Sequence, residues 1–389
     1  MSFRLLPQSF EHDAHCVAVR WTLTLLLLVF FIGSSYDEAY PGIRVETEGG
    51  KMMAESITGK KRMEAALKGE KLDRHAVMLL LGGHFAERAG FTLEQFLTQP
   101  EAALETVRIT CEELDSDALF VPLNPLMPDA QEAFRKLMGK PPSIKKENLK
   151  EKLPKWTVRQ PREDQLFSGH LDMCEKCAEA FPEYEVCTMI GGPWSFGLEL
   201  RGINEAMDDM YDDKPFLHDL MAYTTETVIR RCLAAAELGV HPVIGDPSAG
   251  MSLISPAIYR EHVRPYHQKI VDAVHEKGSA ISFHICGYVD PIFEDLLGLG
   301  IDGLSIDAPS SLEKLFELGR GKTTIMGNVD PILFVQGTPS RLEEEAKKCL
   351  AISQGEARYV VGPGCQIPLG AKIENIKAFT HACHEHGAF

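Results

Sequence analysis

His284 and Cys286 stand two residues apart in SFHICG (282–287), inside a run that otherwise reads as buried strand. In an extended strand alternate residues share a face, so Ser282, His284 and Cys286 point one way while Ile281, Phe283 and Ile285 point the other. Taken alone, such a pair is more often a satisfied core histidine beside an inert thiol than a metal site. Two further residues change that balance. Cys365 closes the apolar run YVVGPGC, and Asp307 closes DGLSIDAP. A histidine, two cysteines and a carboxylate make up a tetrahedral zinc set, and two thiolates select zinc over magnesium or calcium. Structural zinc sites draw on closely spaced pairs. Ligands so far apart in the chain, with one position exchangeable, describe a catalytic site instead.

The elements that would have to bring these residues together are legible. From Arg74 onward short apolar runs alternate with longer amphipathic segments, the pattern of parallel strands joined by helical crossovers. There are eight such runs: HAVMLLLG, ALFVPL, EVCTMIG, HPVIGDP, SAISFHICG, DGLSIDAP, TTIMGNVDP and YVVGPGC. Between them SPAIYREHVRPYHQKIVDAVHEKG reads as one helix, with Ser255 as N-cap, Pro256 at its first turn and Tyr259, Val263, Ile270 and Val274 on one face. Thr338 and Pro339 open another, with Leu342, Ala346 and Leu350 inward and its end near Gly355. Eight units in a chain of this length predict an α/β fold of the (β/α)8 TIM-barrel class. The polar, proline-rich stretch 138–166 reads as an excursion between the second and third strands. No GxGxxG or GxxxxGKS/T segment is present to favour a nucleotide-binding open sheet.

Barrel enzymes build their sites at the C-terminal ends of the strands, so the polar residues that close each run are the candidates. They are Asp246, His284, Cys286, Asp307, Asn328, Asp330 and Cys365. His284, Cys286 and Cys365 are the expected metal ligands, and Asp246, Asp307 and Asn328 the expected catalytic groups. GGPWSFG follows the third run; Gly192 there opens a wide rim loop in which Trp194 and Phe196 either flank a flat cofactor or pack beneath the rim. Cys174 and Cys177 in DMCEKC lack a second pair and read as part of an exposed helix. His381, Cys383, His384 and His386 read as a solvated helix end.

Composition limits the partners. The chain of 389 residues is 44% hydrophobic and 25% charged, as expected of a soluble globular protein. Its net charge of -16, with no basic stripe, argues against nucleic acid. Ten cysteines in a chain this long suit a reducing, cytoplasmic setting better than a disulfide scaffold. The apolar stretch WTLTLLLLVFFIG, 21–33, is short for a membrane span and has an acidic leader unusual for a signal peptide. Residues 1–51 are therefore expected to be an upstream extension outside the fold, and 52–389 the barrel domain.

The segments KRMEAALKGEKLDR, DPSAGMSLISPAIYREHVRPYHQKI, HICGYVDPI, SIDAP, MGNVDP and GPGCQIP resemble the uroporphyrinogen decarboxylase superfamily. Within it they are similar to the methylcobamide:coenzyme M methyltransferase branch, over about residues 56–386. The resemblance implies a (β/α)8 barrel of the uroporphyrinogen decarboxylase type, with zinc on His284, Cys286 and Cys365. It also implies transfer of a methyl group from a methylated corrinoid (cobalamin) to a small thiol such as coenzyme M. No corrinoid-binding DxHxxG segment is present, so the corrinoid would come on a partner protein. The loop GGHFAERAG carries Arg88 but not the arginine-rich pattern of the true decarboxylases. A metal-free decarboxylase of porphyrin biosynthesis and a catalytically silent barrel that binds a corrinoid protein are the alternatives. By similarity to cobalamin-independent methionine synthases, Asp307 would be a fourth zinc ligand, or else orient His284 or cap the following helix. A chain begun at Met52 is expected to stay soluble and bind zinc as well as the full-length protein does; aggregation of the shorter chain alone would show that the leader belongs to the fold.

Overall fold

The computed structural model describes residues 57–122 and 149–389. The expected extension at 1–51 and the first part of the excursion at 138–166 lie outside the described residues. Eight strands form, one in each apolar run: β1 (Ala76–Val77), β2 (Ala118–Phe120), β3 (Glu185–Gly191), β4 (His241–Gly245), β5 (Ser282–Ile285), β6 (Gly303–Ile306), β7 (Thr324–Met326) and β8 (Tyr359–Val361). They pair in parallel in the order β1-β8-β7-β6-β5-β4-β3-β2. A parallel bridge between Met78 and Ala118 joins the two ends of that sheet and completes the (β/α)8 barrel.

The seam between β1 and β2 has its own clamp. Asp117, almost fully buried, meets Arg62 at 3.1 Å and Arg74 at 2.6 Å, and its carboxylate accepts the Val77 N–H at 2.8 Å. A carboxylate so buried is tolerable only because cations and a backbone donor satisfy it. Arg62 belongs to α1 (Gly59–Lys68), whose Met63 and Ala66 cover the N-terminal end of the barrel against Met78, Ala118, Val243, Met326 and Val360. Thr58 caps α1 through the Lys61 N–H.

The outer layer comprises α2 (Pro100–Glu113), α3 (Gln165–Ala180), α4 (Pro193–Arg201), α5 (Lys214–Glu237), α6 (Arg264–Glu276), α7 (Phe293–Leu297), α8 (Leu312–Gly319), α9 (Pro339–Ser353) and α10 (Ile373–His386). Thr338 caps α9 as expected, and Leu342, Ala346 and Leu350 are buried; Gln354, in the left-handed region, ends it just before Gly355. The helix expected from Ser255 is interrupted. Ser255 does cap its start, but the chain widens into a π-turn over Tyr259–Val263 before α6. Pro265 has no N–H to give the Glu261 carbonyl, so a rung of the α-ladder is missing where the wider turn forms. Tyr259, Val263, Ile270 and Val274 still reach the core.

Cys174 and Cys177 correct the expectation of exposure. Three residues apart on α3, they share its inner face and are fully buried, and burial pushes both thiols up to about 12. Cys383 likewise lies in the core, while His384 sits 3.2 Å from Asp115. Among the described residues, no helix is long and apolar enough to cross a membrane.

One titrating group inside the barrel makes the fold testable by pH. Burial raises Glu185, at the start of β3, to about 7 from 4.5, and lowers its neighbour His241 to about 4; His241 is hydrogen-bonded to Ser282 at 2.8 Å. Native Glu185 keeps a proton that the unfolded chain releases near pH 4.5, so its burial costs stability progressively between those values and fully above pH 7. Glu185→Gln should therefore raise stability over wild type by up to about 3 kcal/mol at pH 8 and by far less at pH 4.5. Parallel pH–stability curves for the two proteins would contradict the buried acid.

Candidate metal centre

His284 on β5, Cys286 one residue beyond it and Cys365 beyond β8 converge at the C-terminal mouth of the barrel. Their ligand atoms all lie within 4.8 Å of one another, and among the described residues no other His, Cys, Asp or Glu joins the group. His284 Nε2 is 3.2 Å from Cys286 Sγ, and the two sulfurs are 3.6 Å apart. That separation is far too long for a disulfide and close to the roughly 3.8 Å edge of a tetrahedron with metal–sulfur bonds of about 2.3 Å. The donor set thus fits zinc, with a fourth position left to an exogenous ligand.

Each ligand is held from behind. In the β5–β6 register His284 lies opposite Ser305, and His284 Nδ1 is 3.0 Å from Ser305 Oγ. With Nδ1–H donated there, the Nε2 lone pair faces the sulfurs. Ser305 was not among the expected residues, although it sits two before Asp307 and therefore shares its strand face. Cys365 owes its approach to Gly364. A Cβ at Gly364 would fall 2.6 Å from the Ala308 nitrogen, so only glycine lets the β8 loop lie against the one after β6. His84 pins the same loop farther along, accepting from Gly82 N–H and donating to the Pro368 carbonyl at 3.0 Å. The two thiols are electrostatically one unit. The hydrogen bond from Cys286 draws Cys365 well below the ordinary thiol range, and the same contact drives Cys286 up.

Asp307 lies beside the triad and outside it. Its carboxylate accepts from Gly287 N–H at 2.8 Å and Ala308 N–H at 2.7 Å, which fixes the backbone immediately after Cys286. Asn328 donates to the carbonyls of Asp307 (3.3 Å) and Ser310 (2.8 Å), and the Ser310 hydroxyl donates to the Gly287 carbonyl at 3.0 Å. These residues form a polar brace around Cys286. Asp330 instead caps the helical turn that follows β7, through the Ile332 N–H.

Asp246, expected at the mouth, is fully buried. It accepts from the N–H groups of Trp194 (3.2 Å) and Ser195 (2.8 Å), from the Ser195 hydroxyl (2.5 Å) and from His267 Nε2–H (3.0 Å). The Tyr259 hydroxyl in turn meets His267 Nδ1 at 3.2 Å. A negative charge at the N-terminus of α4, so fully satisfied, orients that helix. A Cβ at Gly192 would fall 2.4 Å from the Asp246 carboxylate, so this glycine makes room for the clamp. Trp194 takes the second of the two roles open to it: it is fully buried, its indole N–H donated to the Ser248 carbonyl at 3.1 Å. Phe196 faces a cavity on the barrel's flank. The Asp246 N–H also donates to the His284 carbonyl at 3.0 Å, which links this clamp to the ligand strand.

Fold and site together define a (β/α)8 barrel with a histidine and two cysteines clustered at the C-terminal ends of its strands. The chain belongs to the uroporphyrinogen decarboxylase (URO-D) family, whose model matches residues 58–386. A solved methyltransferase from Methanosarcina mazei superposes with a TM-score of 0.74 at 25% identity, over 85% of this chain and 99% of the other. The chain is 26% identical over 219 residues to methylcobamide:CoM methyltransferase MtbA of Methanosarcina acetivorans, which covers 56% of this chain and 62% of that protein. To MtaA of Methanosarcina barkeri it is 28% identical over 215 residues, 53% of this chain and 60% of the relative. A uroporphyrinogen decarboxylase of Ruthia magnifica is 23% identical over 204 residues, 50% and 58%. The aligned part thus spans about three-fifths of the curated relatives' length.

The geometry predicts a graded response in metal content. Wild type should hold one zinc per chain, Cys286→Ala and Cys365→Ala should lose most of it, and Ser305→Ala should bind about 10–100-fold more weakly in a chelator competition. Full occupancy in both cysteine variants would exclude the cluster as a metal site.

Proposed function

We propose that the protein is a zinc-dependent, cytoplasmic methyltransferase that moves a methyl group from a methylated corrinoid, carried by a partner protein, to a small thiol such as coenzyme M. The observation that carries this reading is the three-ligand His284–Cys286–Cys365 cluster at the barrel mouth. The methylcobamide:CoM methyltransferases among its relatives support the direction of the chemistry. Metal-free decarboxylation would leave the cluster without a role, and Arg88 in the first loop is engaged by Glu113.

Zinc bound by His284, Cys286 and Cys365 would supply the charge that keeps an incoming thiol ionised and nucleophilic near neutral pH. The chain's own residues keep the ligand atoms in place. Ser305 holds the His284 ring, Asp307 holds the Gly287 backbone next to Cys286, and Asn328 ties Asp307 to Ser310. Holding ligands at short range without reorganisation is how a rigid barrel serves such a reaction. The thiol would give its proton to solvent and its sulfur would bond to the methyl carbon; the corrinoid would supply that methyl group and keep the electron pair of the bond it gives up.

Large apolar side chains stand exposed on the segments that follow β4, β5, β7 and β8, namely Leu253, Tyr288, Ile332 and Leu369. Such side chains at the mouth support docking of a partner over it.

The test is anaerobic. Full-length protein loaded with zinc and mixed with methylcobalamin and coenzyme M should consume the cobalt–methyl absorbance and form one methyl thioether per methyl lost. Cys286→Ala and Cys365→Ala should lower the rate by about a hundredfold or more. No thioether with any small thiol, together with decarboxylation of uroporphyrinogen, would replace this reading with the decarboxylase one.

A further inference from the structure

A cavity of about 430 Å³ opens on the flank of the barrel between α3, α4, α5 and the segment 155–161. It shares no residue with the metal cluster. Its walls are aromatic, from Trp156, Phe167, Phe196 and Tyr223, and its charged groups are Lys155, Arg159, Arg231 and Asp164. Three cations against one carboxylate is a local inversion of charge in a chain whose net charge is -16.

The most constrained of these groups is Arg231. It is only 4% exposed, and its guanidinium carbon lies over the Phe167 ring at 4.9 Å and the Phe196 ring at 5.4 Å. The nearest carboxylate among the described residues, Asp164, stands at 3.9 Å, beyond hydrogen-bond length. A buried cation stacked between rings, with its nearest counter-charge that distant, has unused capacity for an anion. The opposite wall is anchored. Arg230 donates to the Val158 carbonyl at 2.8 Å, Trp156 and Tyr223 rings lie 5.3 Å apart, and Leu149 and Leu153 pack with Phe196, Leu200, Phe216 and Leu220 beneath them. The cavity is therefore built by packing on both sides.

We infer that this flank cavity is a second binding site, for a small anion with a flat apolar body: one carboxylate, sulfonate or phosphate group directed at Arg231, Arg159 and Lys155, and an aromatic or similar body between Trp156, Tyr223 and Phe196. Stacking supplies contact area, and the buried guanidinium supplies charge selection. The assignment is independent of the reaction at the barrel mouth.

The probe is 8-anilinonaphthalene-1-sulfonate, titrated by fluorescence into full-length protein beside N-phenyl-1-naphthylamine, which has the same rings without the sulfonate. Saturable binding of one sulfonate probe per chain is expected, with the uncharged analogue bound about tenfold or more weakly. Lys155 and Arg159 are exposed, so the double variant Lys155→Glu/Arg159→Glu spares the fold and should weaken the sulfonate probe by about tenfold or more. Arg231→Gln should do the same; if it does not fold, the double variant decides alone. Equal binding of the two probes to wild type, or wild-type affinity in a folded double variant, would overturn the assignment.

Discussion

Everything at the mouth of this barrel depends on closing the sheet. Cys286 and Cys365 belong to strands three places apart around the ring, and their sulfurs meet at 3.6 Å because β5 through β8 lie side by side in parallel register. The closure is secured at the other end of the barrel, where Asp117 ties α1, β1 and β2 through Arg62 and Arg74. A thiol pair drawn from such distant segments has no local means of staying together. Its geometry is a property of the whole fold, which a rigid barrel maintains.

Two polar systems translate that rigidity to the ligands. Around Cys286, the carboxylate of Asp307, the amide of Asn328 and the hydroxyl of Ser310 satisfy the loop backbone that would otherwise be free to move. Beneath the rim, Asp246 gathers Trp194, Ser195 and His267 and passes its own N–H to the His284 carbonyl. Each is fully bonded, so each adds order without leaving a buried charge unmet.

The strands, and the three side chains that converge at the mouth, were legible because each leaves a local mark. Eight apolar runs gave eight strands, and His284, Cys286 and Cys365 are chemically distinctive residues at strand ends. What was not legible is orientation. Asp246 and Trp194 carry the same signal as a rim residue, a polar or aromatic group after an apolar run, yet both turn inward because α4 begins at once and needs a counter-charge and a core side chain. Asp307 sits at a ligand-like spacing, but the sequence does not show that its two oxygens accept from the backbone of Gly287 and Ala308. Ser305 was overlooked because serine in a strand has many uses; only the pairing of β6 with β5 shows that it faces His284. Cys174 and Cys177 could be placed on a helix but not on its inner face without knowing what packs against α3.

The central claim is that His284, Cys286 and Cys365 form an open metal centre that receives a thiol. X-ray absorption at the zinc edge, with and without coenzyme M, tests it most directly. Zinc held by these three residues should show two sulfur neighbours with nitrogen or oxygen making up the remainder in the protein alone, and a third sulfur when the thiol is added. A zinc environment that does not change on adding thiol, or one with no sulfur in it, would rule out an open centre at these residues.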